Sequence, residues 1–301
     1  MATGINRIGI DLGGTKTEMA VMRPDGSLAA RQRVASPDTY DACLDALTRD
    51  VLALESEWGP CRVGLGHPGS VNAATGLMRN ANSTWLNGQA VKADLEHRLG
   101  RDIRTANDAD CFALSEARDG AGSRALTVFG VILGTGVGGG LVIKGQLHAG
   151  AGQKAGEWGH NPLPWAKPEE YPGPACWCGK AGCLETWLSG PGLARDHLAR
   201  TGEHRNAEDL LAASDAAARE TQERHADRLS RGLAHVVNLI DPDVIVLGGG
   251  VSNAPGLAER VEAALPGLVF ADGIPTPVRR HRHGDSSGVR GAAWLWPPDV
   301  Q

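Results

Sequence analysis

The sequence predicts an α/β protein built from two related halves that face each other across a cleft. Strand-like and helix-like stretches alternate along the chain, the pattern of a sheet covered by helices. Two apolar hairpins, GIDLGGTKTEMAV from residue 9 and GVILGTGVGGGLV from residue 130, share one plan of strand, glycine-rich turn and strand, which suggests a duplicated unit. At 301 residues with 42% hydrophobic side chains, the chain is long enough for two cores.

The opening 35 residues read as a three-stranded meander: RIGIDLG, TKTEMAVM, a turn at Pro24, Asp25 and Gly26, then SLAARQRV. A helix follows from Asp41 to Glu57, where Leu44, Leu47, Val51 and Leu54 recur at three and four to make one core-facing stripe. CRVGLGHPG (61–69) reads as a buried strand running into a loop, VKADLEHRLG as a helix closed by Gly100, RDIRTAND as a strand and ADCFALSEARDG as a helix. The second meander, ALTVFGVILGTGVGGGLVIKG, then begins. Residues 145–185 are rich in Gly, Pro and Trp and too long for a plain loop, so a function or a metal is expected to hold them. ADRLSRGLAHVVNLI reads as a periodic helix, DPDVIVLGGG as a buried strand ending in three glycines, and DSSGVRGAAWLW as a terminal helix. The expected division is 1–118 and 119–285, the second half carrying the insertion 145–185, with a last helix at 286–301 packing back on the first half.

Charge narrows the partners. The formal net charge is -5 with acids and bases interspersed, and no basic run suggests a nucleic-acid footprint. No apolar run approaches the roughly 18 residues of a membrane span, and MATGINRIGIDLGG lacks a signal-peptide pattern, so a cytoplasmic protein with a small-molecule partner is expected. Cys43, Cys61 and Cys111 stand singly in apolar or helical contexts, as small buried thiols do, and a reducing compartment disfavours disulfides among Cys176, Cys178 and Cys183.

The glycine motifs exclude two common assignments. GIDLGGTKT falls short of a P-loop because Thr15 intervenes between Gly14 and Lys16. Gly134, Gly136 and Gly139 satisfy G-x-G-x-x-G, yet GLVIKG continues as a strand where a dinucleotide fold requires a helix. Each turn instead reads as a hairpin tip whose bare backbone N–H groups converge on phosphate, so that two tips hold a triphosphate between the halves. Plain tight hairpins are the competing reading. Asp11 would hold water or Mg2+ near the phosphates, Lys16 would neutralise charge, and Gly248, Gly249 and Gly250 would suit a flat adenosine.

At the other end, a hydroxyl that attacks phosphorus needs a carboxylate against it to take its proton. Asp108, where TAND meets the next helix, fits that duty or that of an N-cap, and Asn107 offers both donor and acceptor to a ligand. Cys176, Cys178 and Cys183 form C-x-C-x4-C, with His160 sixteen residues before the first. Three thiolates and one imidazole make a closed tetrahedral zinc site, which argues for a structural metal.

DLGGTK (11–16), AND (106–108), GTGVGGG (134–140), GEWGH (156–160), CWCGKAGCLE (176–185) and VIVLGGG (244–250) occur in an order that resembles the ROK family of sugar kinases and repressors. The resemblance implies the actin-like ATPase (ribonuclease H-like) fold, ATP and Mg2+ as cofactors, a structural Zn2+, and a homodimer. It makes Asp108 the catalytic base and places Asn82, Asn107, Glu157, His160 and Glu185 at the sugar. Asp11, Gly13, Gly14, Thr15, Lys16, Gly134, Thr135, Gly136 and Gly248 to Gly250 fall on the ATP side. NANSTWLNG, GEWGHNPLPW and HGDSSGVRGAAWLWP look like the family's fructokinases with mannokinase activity, so phosphorylation of fructose at the 6-hydroxyl is expected, with N-acetylglucosamine or glucose as alternatives. The family's repressors carry a helix-turn-helix ahead of the first glycine motif; that motif begins here by residue 9, so repression is not expected.

Overall fold

The computed structural model describes residues 4–270 and 275–298. Its first half contains β1 (Asn6–Leu12), β2 (Lys16–Met22), β3 (Leu28–Ala35), α1 (Tyr40–Trp58), β4 (Cys61–His67), a small hairpin β5 (Ser70–Val71) and β6 (Met78–Arg79), α2 (Val91–Leu99), β7 (Arg104–Asn107) and α3 (Asp108–Arg118). The second half contains β8 (Thr127–Leu133), β9 (Val137–Ile143), β10 (Gln146–Leu147), α4 (Leu184–Leu188), α5 (Gly190–Thr201), α6 (Ala207–Ala212), α7 (Ala216–Ile240), β11 (Val244–Gly248), α8 (Leu257–Ala264) and β12 (Val278–Arg280), followed by α9 (Ser287–Trp294).

The suggested duplication is visible in the strand order. The first sheet runs β3-β2-β1-β4-β7 and the second β10-β9-β8-β11-β12, so each is an antiparallel meander extended by two parallel strands. Alternate burial explains the amphipathic elements: α1 buries Cys43, Leu44, Leu47, Val51 and Leu54, the stripe read from its spacing plus one cysteine. Parallel strands between covered faces are apolar throughout, and VIVLG of β11 is buried at all five positions.

Two helices tie the halves together. α3 begins at the end of β7 in the first sheet but packs against α9 and against β8 and β9 of the second, so apolar residues surround it and its side chains from Cys111 to Ala117 are all buried. α9, from the far end of the chain, packs on β1, β4 and α3. This approach is close enough to need bare backbone: a Cβ on Gly291 would lie 1.7 Å from the Cys111 carbonyl oxygen, and one on Gly64 would lie 1.9 Å from that of Ala292. Glu116, fully buried on α3, fixes the crossing by accepting from the Ala121, Arg282 and His283 N–H groups and the Ser287 hydroxyl at 2.9 to 3.3 Å.

Several boundaries differ from expectation. The strand read from RDIRTAND shortens to Arg104–Asn107, because Asn107 ends it by capping α3. The helix read as ADRLSRGLAHVVNLI starts ten residues earlier, at Ala216 after an Asp215 cap. The terminal helix stops at Trp294, and residues 299–301 lie outside the described residues. Gly291→Ala should cost about 2 kcal/mol or more, read as a lower denaturation midpoint with unchanged slope, since the clash is with backbone that cannot swing aside.

Candidate active site

A cleft of about 870 Å³ separates the halves, a volume typical of small-ligand sites. Its first wall comes from the β4–β5 loop, β6 and the segment after it, and the junction of β7 with α3. The opposite wall comes from the β8–β9 hairpin and the insertion between β10 and α4. It gathers Asn82, Asn107, Asp108, Glu157, His160 and Glu185 with Gly134, Thr135 and Gly136.

Geometry shows which of Asn107 and Asp108 caps α3. Asn107 is the N-cap of α3: its Oδ1 accepts the Asp110 N–H at 2.6 Å, which leaves its amide nitrogen for a ligand. Asp108 is thereby released from capping, and its Oδ1 accepts from the N–H of Ala109 at 2.8 Å. Water reaches it from the cleft, but protein surrounds it on the other sides. Burial, then the charge of Glu157, raises its pKa above the usual carboxylate range.

Two carboxyls share that environment. Burial, then Asp108 and Glu18, pushes Asp11 up to about 6. Burial, then Glu157 and Asp108, pushes Asp110 up to about 7, and its Oδ1 is buried without a hydrogen-bond partner. Sequence reading missed Asp110. Its signal was an acid two residues after Asp108, directly before the apolar run from Cys111 to Leu114.

The hairpin tip meets the insertion at Glu185. One of its oxygens accepts the Val137 N–H at 3.0 Å, and a Cβ on Gly136 would lie 2.8 Å from the same oxygen, so the tip has no room for a side chain there. The segment NANSTWLNG proves to be cleft wall. Asn87 clamps Ala81 with two hydrogen bonds of 2.9 and 3.1 Å, and Asn80 and Asn82 on either side face the cavity. Arg79, Lys154, Trp177 and Lys180 also line it and were not anticipated.

Asp11, Gly13, Gly14, Thr15, Lys16 and Gly248 to Gly250 are not among the cleft-lining residues. Within the third glycine run the duties divide. A Cβ on Gly248 would strike the Phe112 ring at 2.3 Å, so that glycine serves packing; Gly249 turns the chain at φ +81°, and Gly250 alone faces open space.

The cysteine cluster forms. An antiparallel bridge between Pro162 and Cys183 lays the His160 segment beside the knuckle, and the four ligand atoms of His160, Cys176, Cys178 and Cys183 lie within 4.8 Å of one another. The Cys178 and Cys183 sulfurs are 3.6 Å apart, and His160 Nδ1 is 3.7 Å from the Cys176 sulfur. Tetrahedral zinc with Zn–S near 2.3 Å requires a sulfur separation of about 3.8 Å, so the donor set fits that ion. With Nδ1 turned to the cysteines, the other ring nitrogen of His160 is left for the cleft. The insertion is anchored at its base by Glu170, which pairs with Arg228 and Arg231 of α7 at 2.8 and 2.9 Å.

Twin meanders, each extended by two parallel strands and facing one cleft with a glycine hairpin beside a carboxylate, define the actin-like ATPase fold. The chain belongs to the ROK family, which it matches over residues 7–298. It is 39% identical over 297 residues to an N-acetyl-D-glucosamine kinase from Shigella boydii, covering 95% of this chain and 98% of the relative. Its structure is similar to that of a ROK hexokinase from Thermus thermophilus, with TM-score 0.86, 32% identity and 97% of each chain covered. It is also similar to a ROK family glucokinase from Streptomyces griseus in complex with glucose and AMPPNP, with TM-score 0.78, 28% identity, and 96% of this chain and 98% of that one covered. Among the described residues no helix is long and apolar enough to cross a membrane.

A carboxyl whose pKa is higher folded than unfolded stabilises the fold at acid pH and loses that contribution as pH rises from about 4 towards its folded value. Asp110→Asn should therefore raise the melting temperature at pH 8 by several degrees and by much less at pH 5; equal gains at both would show that Asp110 is ionised throughout. Metal analysis of the purified protein should find about one zinc per chain, and Cys178→Ser should lower both that content and the melting temperature.

Proposed function

We propose that the protein transfers the γ-phosphoryl group of ATP to the 6-hydroxyl of a free hexose, D-fructose first, with D-mannose also accepted. The observation that carries this reading is one cleft in which Asp108, freed of capping, faces the glycine tip Gly134 to Gly136 across a ring of hydrogen-bonding side chains. Phosphoryl transfer passes through a loose transition state, so the chain must position its reactants and take one proton rather than form a covalent bond. Asp108 takes that proton, and its raised pKa makes it a better base than a free carboxylate; it is protonated in acid, so turnover falls as pH drops.

Asn82, the Asn107 amide, Glu157, His160 and the remaining lone pairs of Glu185 hold the other hydroxyls. The Thr135 and Gly136 N–H groups of the β8–β9 tip face the phosphates, with Asp11 to Lys16 and Gly250 flanking the nucleotide. Mg2+, when bound, neutralises charge on the phosphates, and Asp11 is the residue to hold it or its water. His160 and the three cysteines would hold a zinc ion, which would fix the imidazole's direction and tautomer. The two halves, divided near residue 118, would close on the sugar to exclude water, and a homodimer belongs to the same reading.

Fructose is supported by the likeness of NANSTWLNG, GEWGHNPLPW and HGDSSGVRGAAWLWP to the family's fructokinases, the first of these being cleft wall. A second sugar, N-acetylglucosamine, is favoured by the 39% identity to a kinase named for it. A coupled ADP-release assay over fructose, mannose, glucose and N-acetylglucosamine separates them: the highest kcat/KM should be for fructose, and a preference for N-acetylglucosamine would replace this assignment. Asp108→Asn should lower kcat roughly a thousandfold while calorimetry still detects sugar binding, and near-normal turnover would exclude Asp108 as the base.

A further inference from the structure

Trp177 stands between two of the clustered cysteines, with 65% of its surface exposed on the cleft wall. Core packing does not account for so exposed a tryptophan. Its ring meets His160 edge-on, the centroids 4.9 Å apart, and its indole N–H donates to Glu185 at 2.6 Å. The second Glu185 oxygen is the one that accepts from Val137. A single carboxylate thus joins the insertion to the glycine tip beside it.

We propose that Trp177 is a positioning residue for the junction of sugar and phosphate: its indole N–H orients Glu185 and, through Glu185, holds the β8–β9 tip in register with the sugar pocket. The inference rests on the kinase reading above. The terminal torsion of a glutamate is broad, so one anchored oxygen leaves the carboxylate free to rotate, whereas two N–H donors on opposite oxygens fix its plane. The lone pairs not used by Trp177 and Val137 then have a set direction for a sugar hydroxyl. Losing the indole donor would release the plane and loosen the hairpin with it.

Trp177→Phe keeps an aromatic ring and removes only the donor. We expect kcat/KM for the preferred hexose to fall about tenfold or more, with metal content and melting temperature unchanged. In a Glu185→Gln background the same substitution should change kcat/KM less than twofold, because the two residues act as one unit. Amide hydrogen exchange in the unliganded protein gives a readout that needs no turnover: peptides spanning residues 134–139 should exchange faster in Trp177→Phe and in Glu185→Gln alike, while those from β1 and β11 stay protected. Kinetics and hairpin exchange both matching the wild type, or kinetic effects that multiply independently, would overturn the inference and leave the kinase reading intact. Faster exchange over the whole protein would also overturn it, since Trp177 would then be merely structural. A wild-type protein inactive on every hexose would remove the kinase reading and this inference together.

Discussion

The crossing of α3 and α9 is the constraint on which the rest of the molecule depends. Backbone meets backbone there, with Gly291 lying on the Cys111 carbonyl, and the buried Glu116 carboxylate gathers three N–H groups and a hydroxyl from the segments on either side. A buried carboxylate is tolerable only when so satisfied. The same helix presents Asp108 at its first turn, so the Asp108 side of the cleft is aimed by this crossing.

The cleft also concentrates like charge. The charge of Glu157 raises Asp108, Glu157 and Asp108 together raise Asp110, and Asp11 feels Asp108 from the first sheet. Such crowding destabilises the free protein and is relieved when cations and hydroxyl donors arrive. Lys154 and Lys180 on the opposing wall offer positive charge to the cavity. The site is therefore electrostatically strained until it is filled, a common arrangement for a group-transfer centre.

What could be read from the sequence was what local chemistry dictates. Apolar alternation marked both meanders, all four residues of the stripe read for α1 are buried with Cys43 added, and C-x-C-x4-C with His160 named a cluster that the fold assembles. What escaped depends on contacts distant in sequence. Which of Asn107 and Asp108 caps α3 is a competition between neighbouring side chains that either could win on propensity. Gly248 looked like ligand backbone because nothing local announces Phe112 above it. Glu170 gave no sign of its partners Arg228 and Arg231, since an ion pair across some sixty residues has no periodicity to betray it. Residues 186–225 and 251–277 carry neither motif nor strong pattern, and the elements there, α5, α6 and α8, are set by packing on α7 and the second sheet.

The return of α9 to the first sheet bears on how the protein is made. β1, β2, β4 and α3 leave the ribosome early, yet α9 packs on all four of them and buries Val289, Ala292, Ala293 and Trp294 there. During synthesis that apolar face waits, uncovered, while the entire second half is translated. The first half cannot mature ahead of the second, and a nascent chain halted anywhere before α9 would display sticky surface of the kind that chaperones recognise.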